Sequence, residues 1–327
     1  MDDPLVYARV LHFGATLTVA GVVFFVVFIA EAALREAGAP LSGVVRRRLA
    51  WLAWIALIFT VLSGTAWLLL VAQSISDQPL AEVFSQGILS TVLSETDFGR
   101  DWLARLVLAC LLGSFFIPFL STTRTPAAWV NATAALVAAA LVGTLAWAGH
   151  AIGGSGIDGS IRPAADVLHL IAAAGWVGAL LPLALLLGAA GRDARSLAAA
   201  RIATVRFSTL GVVTVGALLI TGTINTWYLA GSISALTETD YGRLLLLKIA
   251  LFFGMVAIAA FNRLRLTPLL IGGVGERATP LALRQLRRNV AIEIAAGAGI
   301  LAIVAILGVT PPGVDEQIMP HAHHHAH

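Results

Sequence analysis

Apolar runs long enough to cross the ~30 Å hydrocarbon core of a bilayer, near 20 residues each, recur along this chain. We read eight of them: approximately Leu5 to Ala33, Leu49 to Ala72, Trp102 to Leu120, Ala127 to Ala148, Ala164 to Leu187, Phe207 to Leu229, Leu244 to Phe261 and Val290 to Val309. Backbone groups in lipid must be satisfied within the segment or in a closed barrel, and Leu/Ala/Val-rich runs of this length do so as helices. The expected fold is therefore an all-α polytopic membrane protein. Composition agrees, since 58% of the 327 residues are hydrophobic and 12% charged, against roughly 25% charged in soluble domains.

The cations orient the spans. Arg35, Arg46, Arg47, Arg48, Arg124, Arg192, Arg195, Arg201, Arg206, Arg263, Arg265, Arg277, Arg284, Arg287 and Arg288 lie at one set of span ends, fifteen of the 21 Lys and Arg. The other side holds Arg9, Arg100, Arg105, Arg162, Arg243 and Lys248 among acidic residues. By the positive-inside rule the fifteen face the cytoplasm and both termini face outward. The formal charge of +3 is thus a matter of topology, and no nucleic-acid partner is expected. Met1-Asp2-Asp3 is acidic where a signal peptide is basic, so the first run is read as a retained span.

The halves repeat. His12 precedes Gly21 by nine residues, as His169 precedes Gly178. Gly64-Thr65 leads to Ser74-Ile75-Ser76 as Gly222-Thr223 leads to Ser232-Ile233-Ser234, and Glu95-Thr96-Asp97-Phe98-Gly99-Arg100 is echoed by Glu238-Thr239-Asp240-Tyr241-Gly242-Arg243. Four spans per half insert both copies the same way up, a parallel 4+4 repeat about the membrane normal. We divide the chain into a first repeat (1–148), a Gly-rich outer linker (149–163), a second repeat (164–310) and a tail (311–327). An insertion at 79–94 reads either as a short interfacial helix, with Asp77 as its N-cap and Pro79 near its first turn, or as a solvated loop.

Ionisable groups at membrane depth are expensive and mark sites. His12, His169 and His150 all fall in the outer third, and neutral imidazole suits copper or zinc. Asp166 lies on the face of His169 and either orients the imidazole or caps the helix. The tail carries His321, His323, His324, His325 and His327 behind Met319, a flexible metal-gathering composition. Cys110, the single cysteine, is an auxiliary candidate for Cu(I). Asn225 and Asn262 are expected to bond between helices, and Arg105 and Lys248 to pair with Asp97 and Asp240 or to snorkel. Trp67, Trp102, Trp147, Trp227 and Tyr228 suit an outer aromatic belt. Nucleophile triads, phosphate loops and paired catalytic carboxylates are not found, so an enzyme is not expected.

Asp166-Val167-Leu168-His169 with Trp176-Val177-Gly178, Arg206-Phe207-Ser208, and Thr239-Asp240-Tyr241-Gly242-Arg243-Leu244-Leu245-Leu246-Leu247-Lys248 running to Asn262-Arg263 resemble the CopD/PcoD copper-resistance family of bacterial inner-membrane proteins. The resemblance implies copper handling at the inner membrane, described as uptake from the periplasm, with a small periplasmic CopC-like protein as partner or fused domain. No such domain is read in this sequence, so a separate CopC-like partner or the His-rich tail is expected to collect the metal. Copper, as Cu(I) or Cu(II), would bind His12, His150, His169 and the tail histidines. Two other readings remain open at this point: a haem-b electron-transfer protein with His12 and His169 as axial ligands, and a non-transporting copper donor or sensor.

Overall fold

The computed structural model describes residues 3–37, 39–120, 127–148, 158–190, 193–230, 233–272 and 278–310. His150 and the tail, with Met319, lie outside the described residues. In chain order the helices are α1 (Pro4–Glu36), α2 (Leu41–Ser76), α3 (Leu80–Ser85), α4 (Ile88–Glu95), α5 (Asp97–Leu120), α6 (Ala128–Trp147), α7 (Ile161–Ala189), α8 (Ala194–Trp227), α9 (Ile233–Glu238), α10 (Asp240–Ile271) and α11 (Thr279–Leu307). Among the described residues there is no strand. Seven of the helices, α1, α2, α6, α7, α8, α10 and α11, are long and apolar enough to cross a membrane; α5 is a further helix of 24 residues.

Two helices make the centre. Helix α1 packs against α2, α6, α7, α8 and α11, and α7 packs against α1, α2, α6, α8 and α11. They approach most closely where the two repeat glycines meet. A β-carbon at Gly21 would overlap the Gly178 carbonyl, and one at Gly178 would overlap the Leu17 carbonyl. Lipid tails are as apolar as leucine, so helices in a bilayer are held by close packing, and small residues permit it. Leu17, Ala174 and Ala179 are buried around the contact.

Two of the long helices contain a π turn ahead of a proline. Pro182 of α7 cannot donate to the carbonyl four residues back, and the turn Ala174–Gly178 precedes it. In α10 the turn Asn262–Leu266 precedes Pro268, and the Asn262 carbonyl accepts both the Thr267 backbone N–H and, at 2.9 Å, the Thr267 hydroxyl. A third π turn, Val26–Ala30, lies in α1.

On the arginine-rich side the helices run beyond the apolar runs that signal them. Helix α8 starts at Ala194 and α11 at Thr279, well before Phe207 and Val290, because the arginines there are bonded to neighbouring helices. Arg46 forms a two-point ion pair with Glu31 at 2.7 and 3.1 Å. Arg206 donates to the Phe28 carbonyl at 3.2 Å, and Arg287 caps the end of α7 through the Leu187 and Ala190 carbonyls.

The insertion differs in detail from the sequence reading. It forms two helices, α3 and α4, joined at Gly87 in the left-handed region (φ 70°), and Pro79 occupies the N-cap position expected of Asp77, which itself has φ 53°. Val83 and Val92 bury against Leu68 and Ala72 of α2, which converts the insertion from a solvated loop into a lid on the ends of α2 and α5.

The crossing yields a direct prediction. Gly178→Leu should lower stability by roughly 1–3 kcal/mol or more through overpacking, read as a lowered melting temperature and loss of the monodisperse peak in detergent. Gly188→Ala, where a β-carbon meets nothing within 4 Å, should leave both unchanged.

Candidate metal centre

His12 sits nine residues before Gly21 on α1, about two and a half turns away. Its imidazole therefore leaves from the face opposite α7 and enters α2. Nδ1 lies 3.0 Å from the Thr60 carbonyl and 3.3 Å from Ser63 Oγ. A carbonyl only accepts, so in the neutral ring Nδ1 carries the proton and Nε2 keeps its lone pair. Nε2 is buried without a hydrogen-bond partner, and the ring forms part of the wall of a small cavity of about 10 Å³, shared with Thr60, Gly64, Trp102, Arg105 and Ala109. That is room for about one water-sized ligand. Gly64 makes the seat, since a β-carbon there would stand 3.0 Å from the imidazole Cε1.

His169 repeats the arrangement on α7 against α8. Its Nδ1 lies 2.9 Å from Thr221 Oγ1. The Thr221 hydroxyl spends its own proton on the Ala217 carbonyl at 2.7 Å, so it accepts from Nδ1–H and Nε2 is again the free nitrogen. Gly222 takes the place of Gly64, with a β-carbon position 3.6 Å from Cε1. An imidazole held by one nitrogen with the other free is the form that ligates a metal.

The charged neighbours of the two rings differ. Three residues before His12 stands Arg9; three residues before His169 stands Asp166. Arg9 and Arg105 are both buried, with guanidiniums 5.1 and 5.6 Å from the Trp67 ring centre. Arg9 donates to the Gly308 carbonyl and Arg105 to Thr144, binding the ends of α11 and α6. At the other ring, Asp166 Oδ1 accepts from Asn225 at 2.6 Å, and Lys248 of α10 lies close enough to act on both Asp166 and His169. Each ring thus has a cation acting on it, Arg105 at His12 and Lys248 at His169, and the His169 seat has in addition a carboxylate one turn away on its own helix.

Several expectations change here. Asp166 neither caps a helix nor holds His169; Asn225 takes its carboxylate, and Thr221 takes the ring. Asp97 and Asp240 pair with Arg100 and Arg243 one turn along their own helices, and Arg105 turns inward to Thr144. Trp67, read as part of an aromatic belt, is buried between His12, Phe13 and Phe98. Trp147 and Trp227 are exposed. Cys110 is exposed on α5 and does not line the cavity beside His12. His12 and His169 bond to different helices, and among the described residues no group of three or more His, Cys, Asp or Glu side chains is placed to hold a metal. Asn225 and Asn262 do bond between helices, to Asp166 and Glu293. The hydroxyls that seat the rings were not singled out from sequence, though Ser63 and Thr221 directly precede the repeated Gly-Thr pairs.

An all-helical bundle with seven apolar helices of spanning length defines a polytopic membrane protein. Its sequence matches the family described as "Copper resistance protein D-like, N-terminal domain" over residues 1–161 and that described as "Copper resistance protein D" over residues 201–307. It is 30% identical over 320 residues to Copper resistance protein D of Pseudomonas syringae pv. tomato, covering 96% of this chain and 99% of that one. It is also 30% identical over 308 residues to inner membrane protein YebZ of Escherichia coli (strain K12), covering 93% and 97% of the two chains. Copper transport protein CutJ of Bacillus subtilis (strain 168) is 29% identical over 179 residues, 55% of this chain and 32% of that protein. No solved structure matches the chain. The chain belongs to the copper resistance protein D family.

Asn225→Leu removes the donor that holds the Asp166 carboxylate and should cost about 1–3 kcal/mol of stability, measured by thermal unfolding in detergent. Thr223→Val, at an exposed hydroxyl two residues away on α8, should change it little.

Proposed function

We propose that this protein binds copper on the outer face of a bacterial inner membrane and carries it toward the cytoplasm. The observation that carries the reading is the shared seat of His12 and His169, each with Nδ1 tied to a neighbouring helix and Nε2 free. Family membership supports copper as the cargo, and the relatives' names, Copper resistance protein D and Copper transport protein CutJ, agree with it.

In this reading the chain has eight spans in a parallel 4+4 arrangement, 1–148 and 164–310 joined by 149–163, with both ends in the periplasm. The tail, through Met319 and His321, His323, His324, His325 and His327, together with a CopC-like partner, collects the ion. His150 passes it to the intramembrane histidines, and Cys110 is at most auxiliary. Of the two seats His169 is the stronger, since Asp166 stands beside it where Arg9 stands beside His12. Copper moves as a substrate, and no chemical transformation is assigned to the protein.

Titration of purified, metal-stripped protein with Cu(I) against a chromophoric chelator tests this. His169→Ala should weaken binding more than tenfold and His12→Ala by a smaller factor, while removal of 311–327 should lower stoichiometry and leave the His169 site. Unchanged affinity in both histidine variants contradicts the reading. Copper uptake into sealed vesicles separates a transporter from a donor or sensor, and an absorption spectrum without a Soret band removes the haem alternative.

A further inference from the structure

Toward the arginine-rich end, α7, α8, α10 and α11 enclose a cavity of about 320 Å³. Most of its wall is apolar, including Leu183, Val215, Val256 and Val290. Glu293 of α11 forms part of the wall and is 1% exposed. Its Oε1 accepts from Asn262 Nδ2 at 2.9 Å. Asn262 Oδ1 in turn accepts from Asn289 at 2.6 Å, and Asn289 Oδ1 accepts from Gln285 at 3.0 Å. Gln285, Asn289 and Glu293 are spaced by four and share one face of α11, so an amide chain runs from the carboxyl toward the arginine-rich surface.

The other oxygen is free. Oε2 is buried without a hydrogen bond of full geometry, and the one donor aimed toward the carboxyl from α7 is the neutral Trp176 indole N–H. Among the described residues, no charged side chain acts on Glu293, and Arg263 is the other charged residue on the cavity wall. Arg263 of α10 lines the cavity but donates to Ser208 at 2.8 Å. Arg287, on α11 itself, caps α7. Arg9 and Glu31 of α1 are bound to Gly308 and Arg46. Helices α7 and α8 bring only Trp176, Thr204 and Ser208 as polar side chains to the cavity wall. An ionised carboxylate in such a place needs a counter-charge, because a lone buried charge is costly. A metal ion needs several donors, and among the described residues no second carboxylate, thiol or imidazole joins Glu293 in a metal-holding group. A proton needs one oxygen.

We propose that Glu293 is a proton-binding site of the transport cycle, exchanging its proton through this cavity as copper crosses the bundle. The inference rests on the copper-transport reading above. The step is a simple exchange in which the carboxyl gives up a proton to water in the cavity while the cation passes, and takes one back when the cation has left.

The full-length protein in sealed vesicles with a trapped pH dye tests it, Cu(I) being added outside. Wild type should change lumen pH in step with copper uptake. Glu293→Gln, isosteric and able to keep the Asn262 contact, should show that change reduced at least tenfold per copper, and Glu293→Asp should retain part of it. Infrared spectra of the same samples should show a protonated-carboxyl band that copper perturbs and that Glu293→Gln lacks. A lumen pH response in Glu293→Gln equal to wild type, or a band indifferent to copper, overturns the proposal. Should wild-type vesicles take up no copper, the transport reading falls by itself. The infrared band then decides: sensitivity to copper keeps Glu293 as a copper-linked proton site, and insensitivity removes it.

Discussion

Backbone contact between α1 and α7 at Gly21 and Gly178 sets the positions of everything else in the bundle. Water cannot drive apolar helices together inside a bilayer, so the pair must gain its stability from closeness, and only glycine at both positions allows the carbonyls to approach. Once these helices are fixed, the remaining ones pack around them: α2 and α6 beside α1, α8 and α11 beside α7, with α5 and α10 closing the outside. In α1 the histidine lies half a turn out of phase with the glycine, so close packing at the crossing directs the ring outward into its seat on α2.

The two seats share two parts: a glycine leaves room for the ring, and an oxygen on the neighbouring helix accepts from Nδ1. At His169 the Thr221 hydroxyl is oriented by the Ala217 carbonyl; at His12 the backbone carbonyl of Thr60 needs no further orientation. The two seats share the ring geometry and differ in their charged neighbours. Arg9 stands one turn from His12 where Asp166 stands one turn from His169, while a cation, Arg105 or Lys248, acts on each ring.

Much of this was legible in the residues. Apolar runs located the long helices, and the paired His and Gly motifs marked both the crossing and the seats. Helix ends were hidden, because hydropathy follows the bilayer whereas α8 and α11 continue through arginines that bond to carbonyls on other helices. Trp67 read as an interfacial residue from its position near a span end, yet two guanidiniums and an imidazole draw it inward. Asp166 and His169 share a face by spacing, but spacing along one helix does not reveal that Asn225 and Thr221 compete for them from another. Glu293 drew no attention as a single acid in an apolar run. Only the packed structure shows that the Asn262 amide and the Trp176 indole are its neighbours and that no charged side chain acts on it.

The central claim is that both intramembrane histidines present a bare Nε2, held by Nδ1–H bonds to neighbouring helices. Nitrogen-15 NMR of histidine-labelled, metal-free protein, repeated after addition of diamagnetic Cu(I), tests it most directly. The account predicts Nδ1–H tautomers for His12 and His169, with the His169 Nε2 resonance moving first as copper is added. Nε2–H tautomers, or ring resonances that ignore copper, would contradict it.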